Sequence, residues 1–423
     1  MPLTKLQFRP GVNRETTSYT NEGGWYDCDK VRFRFGTPEK IGGWQRISTL
    51  SFLGTSRILH PFVALDGSNF IGNGTHLKYY LELGGGYNDI TPLRLTTSAG
   101  DVTFAAVNGS STLTITDTLH GANENDFVTF SGATTLGGTI TAAVLNQEYQ
   151  IVTVPSVNTY TLVARAVDSL SDITIDGQYT PTPVVADASD TGNGGASVVG
   201  KYQVNTGLDT TVTGTGWGAG TYSRGTWGSG SSLLVVGDIL RLWSNDNFGE
   251  DLLINVRDGG IYYWDKSTAT SVSPYARAVA LSDLVGADAT TPTIAKQVMV
   301  SDRDRHVLAF GCDAQDNIGV QDPLLIRFSD QEDPLVWSAQ PTNTAGDLRI
   351  GTGSEIITAV ETRQQILVFT DSSLHALQYL GPPFTFGINL LSANITIASP
   401  LAAIAVDDMV FWMGEQDFYM YSG

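Results

Sequence analysis

The chain is poor in the residues that carry most metal and nucleophile chemistry. Only two cysteines, Cys28 and Cys312, occur in 423 residues. Neither a disulfide framework nor a zinc knuckle can be built from them, because each needs several closely spaced thiols. Two buried reduced thiols are expected, with one long-range disulfide as the alternative. The five histidines, His60, His76, His120, His306 and His375, stand apart in sequence. They form no HExxH motif and no pair at ligand spacing, so structural or surface roles are expected of them. A GxSxG nucleophile elbow and a GxxxxGK[ST] phosphate loop are also missing. The glycine cluster from Gly214 to Gly220 lacks the strand-to-helix context of a phosphate cradle and reads as loop. No cofactor, no metal and no catalytic residue are expected.

Positive charge is scarce as well. Against 43 Asp and Glu stand 24 Lys and Arg, a net charge of −19. This balance argues against a protein that grips phosphate backbones over a broad basic face, since such binding depends on clustered cations that release counterions. No stretch approaches the roughly 18 apolar residues of a membrane span. The opening MPLTKLQFRPGVNRETTSYTNEGGW lacks the basic-then-apolar layout of a signal peptide. A protein without a membrane span, made in the cytoplasm or for an assembly built there, is expected. Helical period is rare too: its best window, Ala276 to Gly286, predicts at most a short turn or two.

What the chain does have is core material, with 41% hydrophobic and 10% aromatic residues, which places it outside the disordered class. The length suggests roughly two to three domains. Short apolar runs bounded by Gly, Asp, Asn or Pro recur along it, and Gly, Thr and Ser are abundant, so the fold class is all-β. Val31-Arg32-Phe33-Arg34-Phe35, a turn at Gly36 to Glu39, and Lys40 to Trp44 read as a hairpin. Between about Leu95 and Gly200 tryptophan vanishes. Strand patterns there (Thr112–Thr116, Asp126–Phe130, Glu148–Val154, Asn158–Val163) predict a small barrel or sandwich. Asp187 to Gly200 has the composition of a flexible tether.

Aromatic-rich material of one style lies on both sides of this unit. It repeats a buried apolar strand, a tight turn and an amphipathic strand, as in Asn69 into Tyr79-Tyr80, Asp251 into Ile261–Trp264, His306 to Gly311, Gln365 into Leu374–Leu377, and Asp408 into Phe418–Tyr421. Each resembles the inner strands of a propeller blade, with a stacked sandwich as the alternative. The expected organisation is therefore a β-propeller-like main domain (1–95 and 201–423) with a small β domain inserted at 96–200. Four or five such units are few for a closed ring, which predicts that the natural chain continues past Gly423.

Paired carboxylates could hydrolyse a glycan. The candidates are Asp330, Glu332 and Asp333, Asp407 with Asp408, and Glu415 with Asp417. All fall where a turn is expected, and turns favour Asp for its backbone hydrogen bonds. Asp313 to Gly319 carries some oxygen ligands for a cation but departs from EF-hand spacing and lacks the closing Glu.

Three segments carry a family resemblance: Trp25-Tyr26-Asp27-Cys28-Asp29-Lys30-Val31-Arg32-Phe33-Arg34-Phe35-Gly36-Thr37-Pro38-Glu39-Lys40-Ile41-Gly42-Gly43-Trp44, Arg327 to Trp337, and Asn343 to Asp347. Together they resemble the tail nozzle proteins of short-tailed bacteriophages (podoviruses), also called tail tubular or packaged-DNA stabilisation proteins. The resemblance covers the first ninety residues and most of the chain from about residue 201. It implies a structural virion protein of the viral tail, a propeller-containing hexamer below the portal that retains the genome and conducts it during DNA ejection. The implied partners are the tail adaptor, or head-to-tail connector, on one side and tail fibre or needle proteins on the other, with transient passage of double-stranded DNA. No catalytic residue carries over.

Under that resemblance the acidity has two readings: a lumen that repels DNA and keeps it sliding, or a solubilising charge before assembly. Two other functions stand beside the nozzle. One is a tail-associated glycan-binding or glycan-hydrolysing protein using the carboxylates named above. The other is a binding module in which the 96–200 unit recognises a receptor or fibre. The loop from Trp217 to Trp227 is a candidate for subunit contact, or else its tryptophans fold back on their own blade.

Overall fold

The computed structural model describes residues 9–15, 17, 19–43, 45, 48, 50–166, 182–207, 240–268, 275–406 and 408–423. The loop from Trp217 to Trp227, the Gly214 to Gly220 cluster and Asp407 lie outside these. The chain divides into two compact units, Met1–Thr49 and Leu50–Gly423.

In the first unit, Val31–Arg34 pairs with Thr37–Lys40. The turn is tighter than the sequence suggests: Phe35 and Gly36 alone make it, both at positive φ (50° and 81°), as the favoured two-residue hairpin turns require. Thr37 to Lys40 therefore belongs to the return strand, and the Phe35 ring is left 96% exposed at the tip.

The second unit is all-β, as expected. Five sheets follow one another along the chain as blade-like antiparallel meanders, each with its strands in sequence order. Sheet I comprises Ser56–Val63, Asn69–Thr75, Tyr79–Leu83 and Gly86–Asp89, and sheet II comprises Trp243–Phe248, Asp251–Val256, Ile261–Trp264 and Val279–Ala280. Sheet III comprises Gln297–Val300, Val307–Phe310, Leu325–Phe328 and Gly346–Arg349. Sheet IV comprises Ile356–Glu361, Ile366–Thr370, Leu374–Gly381 and Thr385–Ser392, and sheet V comprises Ala403–Val406, Met409–Met413 and Phe418–Tyr421. Each apolar run picked out in the sequence is the second strand of one of these sheets.

Strand alternation explains the stacking, because successive side chains point to opposite faces. In sheet II, Leu252 and Ile254 join the core shared with sheet I, while Leu253 joins the core shared with sheet III. Val307 and Ala309 then face sheet II, and Leu308 and Phe310 face sheet IV. Ile366 and Val368 face sheet III, and Leu367 and Phe369 face sheet V. An apolar run without polar alternation is what a sheet covered on both faces demands. For the same reason the third strands of sheets I, II and IV are more buried than an amphipathic strand would be.

The small β unit inserted between sheets I and II pairs two four-stranded sheets. One holds Leu93–Thr96, Val199–Gln203, Phe127–Ser131 and Glu148–Gln150, and the other holds Thr103–Ala106, Thr112–Thr116, Thr159–Val163 and Thr153–Ser156. They enclose one core that includes Phe104, Leu113, Ile115, Phe130, Tyr160, Leu162 and Tyr202. A single-turn helix, Ala142–Leu145, capped by Thr141, is too short to leave a period in the sequence. The expected helical turns at Ala276 to Gly286 reduce to a short strand and the 3₁₀ turn Leu281–Asp283.

The expected tether is instead packed loop. The Asp190 carboxylate accepts from the backbone N–H groups of Asp187, Gly138, Thr139 and Ile140. Gly194 sits so close to the Phe104 ring that a Cβ would lie 2.5 Å from it. Glycine serves close approach there, and Val199–Gln203 is a sheet strand.

Candidate functional site

The first strand of each sheet lies beside the first strand of the next, and polar side chains tie them together. His60 Nε2 lies 2.6 Å from Asn247 Oδ1, joining sheets I and II. Ser244 Oγ accepts from Val298 N (3.0 Å) and Asp246 Oδ2 accepts from Val300 N (2.9 Å), joining II and III. Gln297 both donates to and accepts from the Ala359 backbone (2.8 Å each), joining III and IV.

Between these strands lies a cavity of about 180 Å³, lined by Ser244, Asn245, Asp246, Arg257, Lys296 and Gln297 on its polar side and by Ile58, Trp243, Val298 and Leu401 on its apolar side. The Lys296 ammonium, 8% exposed, pairs with Asp258 at 3.0 Å and Glu355 at 2.6 Å, so one cation joins sheets II, III and IV. Arg257 donates to Ile357 O at 2.9 Å, and burial draws its pKa down. Asn245 Nδ2 donates to the Tyr79 hydroxyl at 2.7 Å, while its buried Oδ1 has no partner among the described residues.

Asp246 also belongs to a group of four carboxyls, with Asp302 and Asp304 from the turn after Gln297–Val300 and Glu361 at the end of Ile356–Glu361. Burial pushes Glu361 up to about 7, and the Asp302, Asp246 and Asp304 charges add to the rise against a bond from Asp302 N (3.1 Å). Asp246 and Asp304 are raised as well, chiefly by burial. A carboxyl that titrates near neutrality can exchange a proton under ordinary conditions. Sequence reading missed this group because its members come from three sheets and share no motif.

A second polar centre joins the inserted unit to sheets I and II. Lys78 Nζ, nearly buried, lies 2.7 Å from Asp89 Oδ2, is paired with Glu148, and sits 4.5 Å from the Phe127 ring centroid. Arg277 is paired with Asp89 and lies 3.0 Å from Glu148 Oε2, and Gln203 donates to Glu148. Two cations and two anions thus balance. Burial opposes the Asp89 charge, but Arg277 and Lys78 outweigh it and hold this carboxyl well below the usual carboxylate range.

Among the described residues, the carboxylates singled out from sequence sit on separate turns. Asp330 and Asp333 are backbone bridge partners in the connection between the third and fourth strands of sheet III. Asp330 Oδ1 accepts from Gln331 N (2.9 Å), Thr344 N (2.8 Å) and Thr344 Oγ1 (2.6 Å), and Asp333 Oδ1 accepts from Leu335 N (2.9 Å). Glu332 occupies the positive-φ position of that turn, at 58°. Asp408, Glu415 and Asp417 lie on the turns of sheet V. Asp313 to Gly319 is a hairpin, not a cation loop: the Asp313 carboxylate takes hydrogen bonds from Thr293 N, Thr293 Oγ1 and Gly319 N.

The five histidines occupy five separate settings. His76 Nδ1 accepts from Thr55 N, and His120 Nδ1 accepts from Ala122 N. His306 packs among Phe328, Tyr379 and Phe386, and His375 bonds Thr352 and Ser373. Both cysteines are free; Cys312 is buried, whereas Cys28 is half-exposed, contrary to the expectation that both are buried. Among the described residues, no helix is long and apolar enough to cross a membrane.

No protein-family model and no curated protein matches the chain. Among solved structures it is similar to the Phage phi92 endosialidase (TM-score 0.25, 11% identity, over 89% of this chain and 55% of that one). It is also similar to the extracellular domain of the putative one component system BT4673 from B. thetaiotaomicron (TM-score 0.24, 12% identity, over 92% of this chain and 61% of that one). The chain thus spans less than two thirds of either.

Proposed function

We propose that this chain is a structural protein of a phage tail, a nozzle subunit that assembles into a ring and conducts double-stranded DNA without holding it. The observation that carries the reading is the use made of the residues that bear the resemblance. Arg327, 1% exposed, donates to the carbonyls of Thr290 (2.6 Å), Asp313 (3.3 Å) and Trp337 (3.3 Å) and sits 5.8 Å from the Trp337 ring centroid. Asp330 gathers Gln331 and Thr344, and Trp337 Nε1 donates to Pro334 O at 2.8 Å. These motif side chains bind backbone groups of the chain and shape the connection between the third and fourth strands of sheet III, whose Trp337 packs in the core between sheets II and III, which is scaffold work. Mass spectrometry of purified virions, with negative-stain images of their tails, tests the reading: the chain should be a stoichiometric component and the tail should carry a six-fold ring. Absence of the chain from intact virions would overturn it.

A second reading, glycan binding or hydrolysis, is favoured by one observation, the Glu361 carboxyl group with its three acidic neighbours. A reducing-sugar assay on host polysaccharide decides it. Release by wild type and loss in Glu361→Gln would support the reading, and no release by wild type would remove it.

A further inference from the structure

The edge of a β-sheet invites another strand, because alternate N–H and C=O groups of the edge strand point away from the sheet. Sheets I, II and III end on edges that discourage this. The fourth strand of sheet II, Val279–Ala280, has two residues, and that of sheet I, Gly86–Asp89, has four and is half-buried. The fourth strand of sheet III, Gly346–Arg349, has four residues and carries Asp347 and Arg349. Sheet IV differs. Its fourth strand, Thr385–Ser392, has eight residues and no charge, and its pairing with the third strand runs unbroken from Phe386 to Leu390. Among the described residues no further strand lies beside it, and its backbone from Phe386 to Ser392 takes no backbone hydrogen bond from outside the sheet. Asn389, Leu390 and Leu391 are exposed, Leu390 by 50%.

We propose that Thr385–Ser392 pairs antiparallel with the same strand of a second copy of this chain, joining two copies of sheet IV across a two-fold axis. Charge carries the choice of partner. The strand lies in the longest uncharged stretch of the chain: between Asp371 and Asp407 no Asp, Glu, Lys or Arg occurs, although 16% of all residues are charged. A net charge of −19 sets copies of the chain against one another over the rest of the surface. Antiparallel pairing about a two-fold axis brings residues near their own counterparts, where like charges are destabilising, and this strand brings none. Main-chain hydrogen bonds then supply the contact, with Leu390 and Leu391 as its apolar cover. The contact is isologous and closes at two copies. It therefore does not build the proposed ring and stands independently of the tail reading.

Sedimentation velocity of the full chain over about 1 to 100 micromolar, with Asn389→Lys and Asn389→Glu, tests it. Asn389 is exposed, and with the axis at Ile388, Asn389 or Leu390 it lies within about 8 Å of its counterpart. An unchanged circular dichroism melt confirms that both variants fold. Wild type should dimerise in this range. Each variant alone should dimerise about fivefold more weakly, and the equimolar mixture should regain the wild-type affinity, because opposite charges then face each other. Three results would overturn the proposal: a monomeric wild type, as expected if the edge takes a strand of a different protein; variants that dimerise as wild type does; or a mixture as weak as its components. Absence of the chain from virions would reject the tail reading and leave this dimer intact.

Discussion

Glu361 is the side chain whose chemistry departs most from what its sequence neighbourhood suggests. Its folded-state pKa, about 7, lies above the ordinary 4.5. The stability linked to it is therefore fully present below about pH 4.5 and is lost as pH rises through 7. The melting temperature should fall between pH 5.5 and 8, and Glu361→Gln should flatten that dependence and raise the melting temperature at pH 8. Calorimetry across this range checks it; an identical slope in the variant would contradict the assignment. Thiol reactivity gives a second residue-scale expectation. Burial pushes Cys312 up to about 12, and the thiolate is the reactive form. Titration with an aromatic disulfide reagent should count one fast thiol, Cys28, in the native chain and two after denaturation. Arg327→Ala leaves three carbonyls without their donor and should cost about 3 kcal/mol by urea unfolding. Of these residues, Cys312 could be read from sequence as a buried reduced thiol, whereas Arg327 stood only in a segment of the family resemblance, with no role of its own. Glu361 could not be read, since its environment is assembled from strands some sixty and more than a hundred residues away.

At the scale of elements, the second strands of sheets II, III and IV were legible because burial on both faces leaves a nearly uninterrupted apolar run. Trp243–Phe248 was not picked out, for Ser244-Asn245-Asp246-Asn247 carries polar ties to the neighbouring sheets and leaves no apolar run. The packed loop at 187–200 was misread because composition alone cannot distinguish glycines that allow flexibility from glycines that allow contact. Gly132, at φ 75°, would place a Cβ 2.1 Å from Ser197 O, so Gly132→Ala should destabilise the inserted unit by more than about 1 kcal/mol. The joint between that unit and sheets I and II rests on the Lys78, Asp89, Glu148 and Arg277 group. Removing one member of a buried charge group costs about 3–5 kcal/mol, and Glu148→Gln leaves both cations short of an anion. Limited proteolysis should then cut faster on either side of the inserted unit while its core stays folded. Unchanged cleavage would show that apolar packing holds the joint.

For the whole molecule, the charge of −19 acquires a partial account. Asp89, Glu148, Asp258 and Glu355 are paired with Lys78, Arg277 and Lys296, and Asp190, Asp313 and Asp330 hold backbone donors. Many acids are therefore architectural, and the excess that faces solvent is free to repel a passing duplex under the nozzle reading. The proposal that this chain is a ring-forming structural component of a phage tail is best tested by a cryo-EM map of the intact tail. Expected is a six-fold ring into each of whose subunits the five successive sheets fit as rigid density. A tail map at side-chain resolution in which no density accommodates these sheets would contradict it.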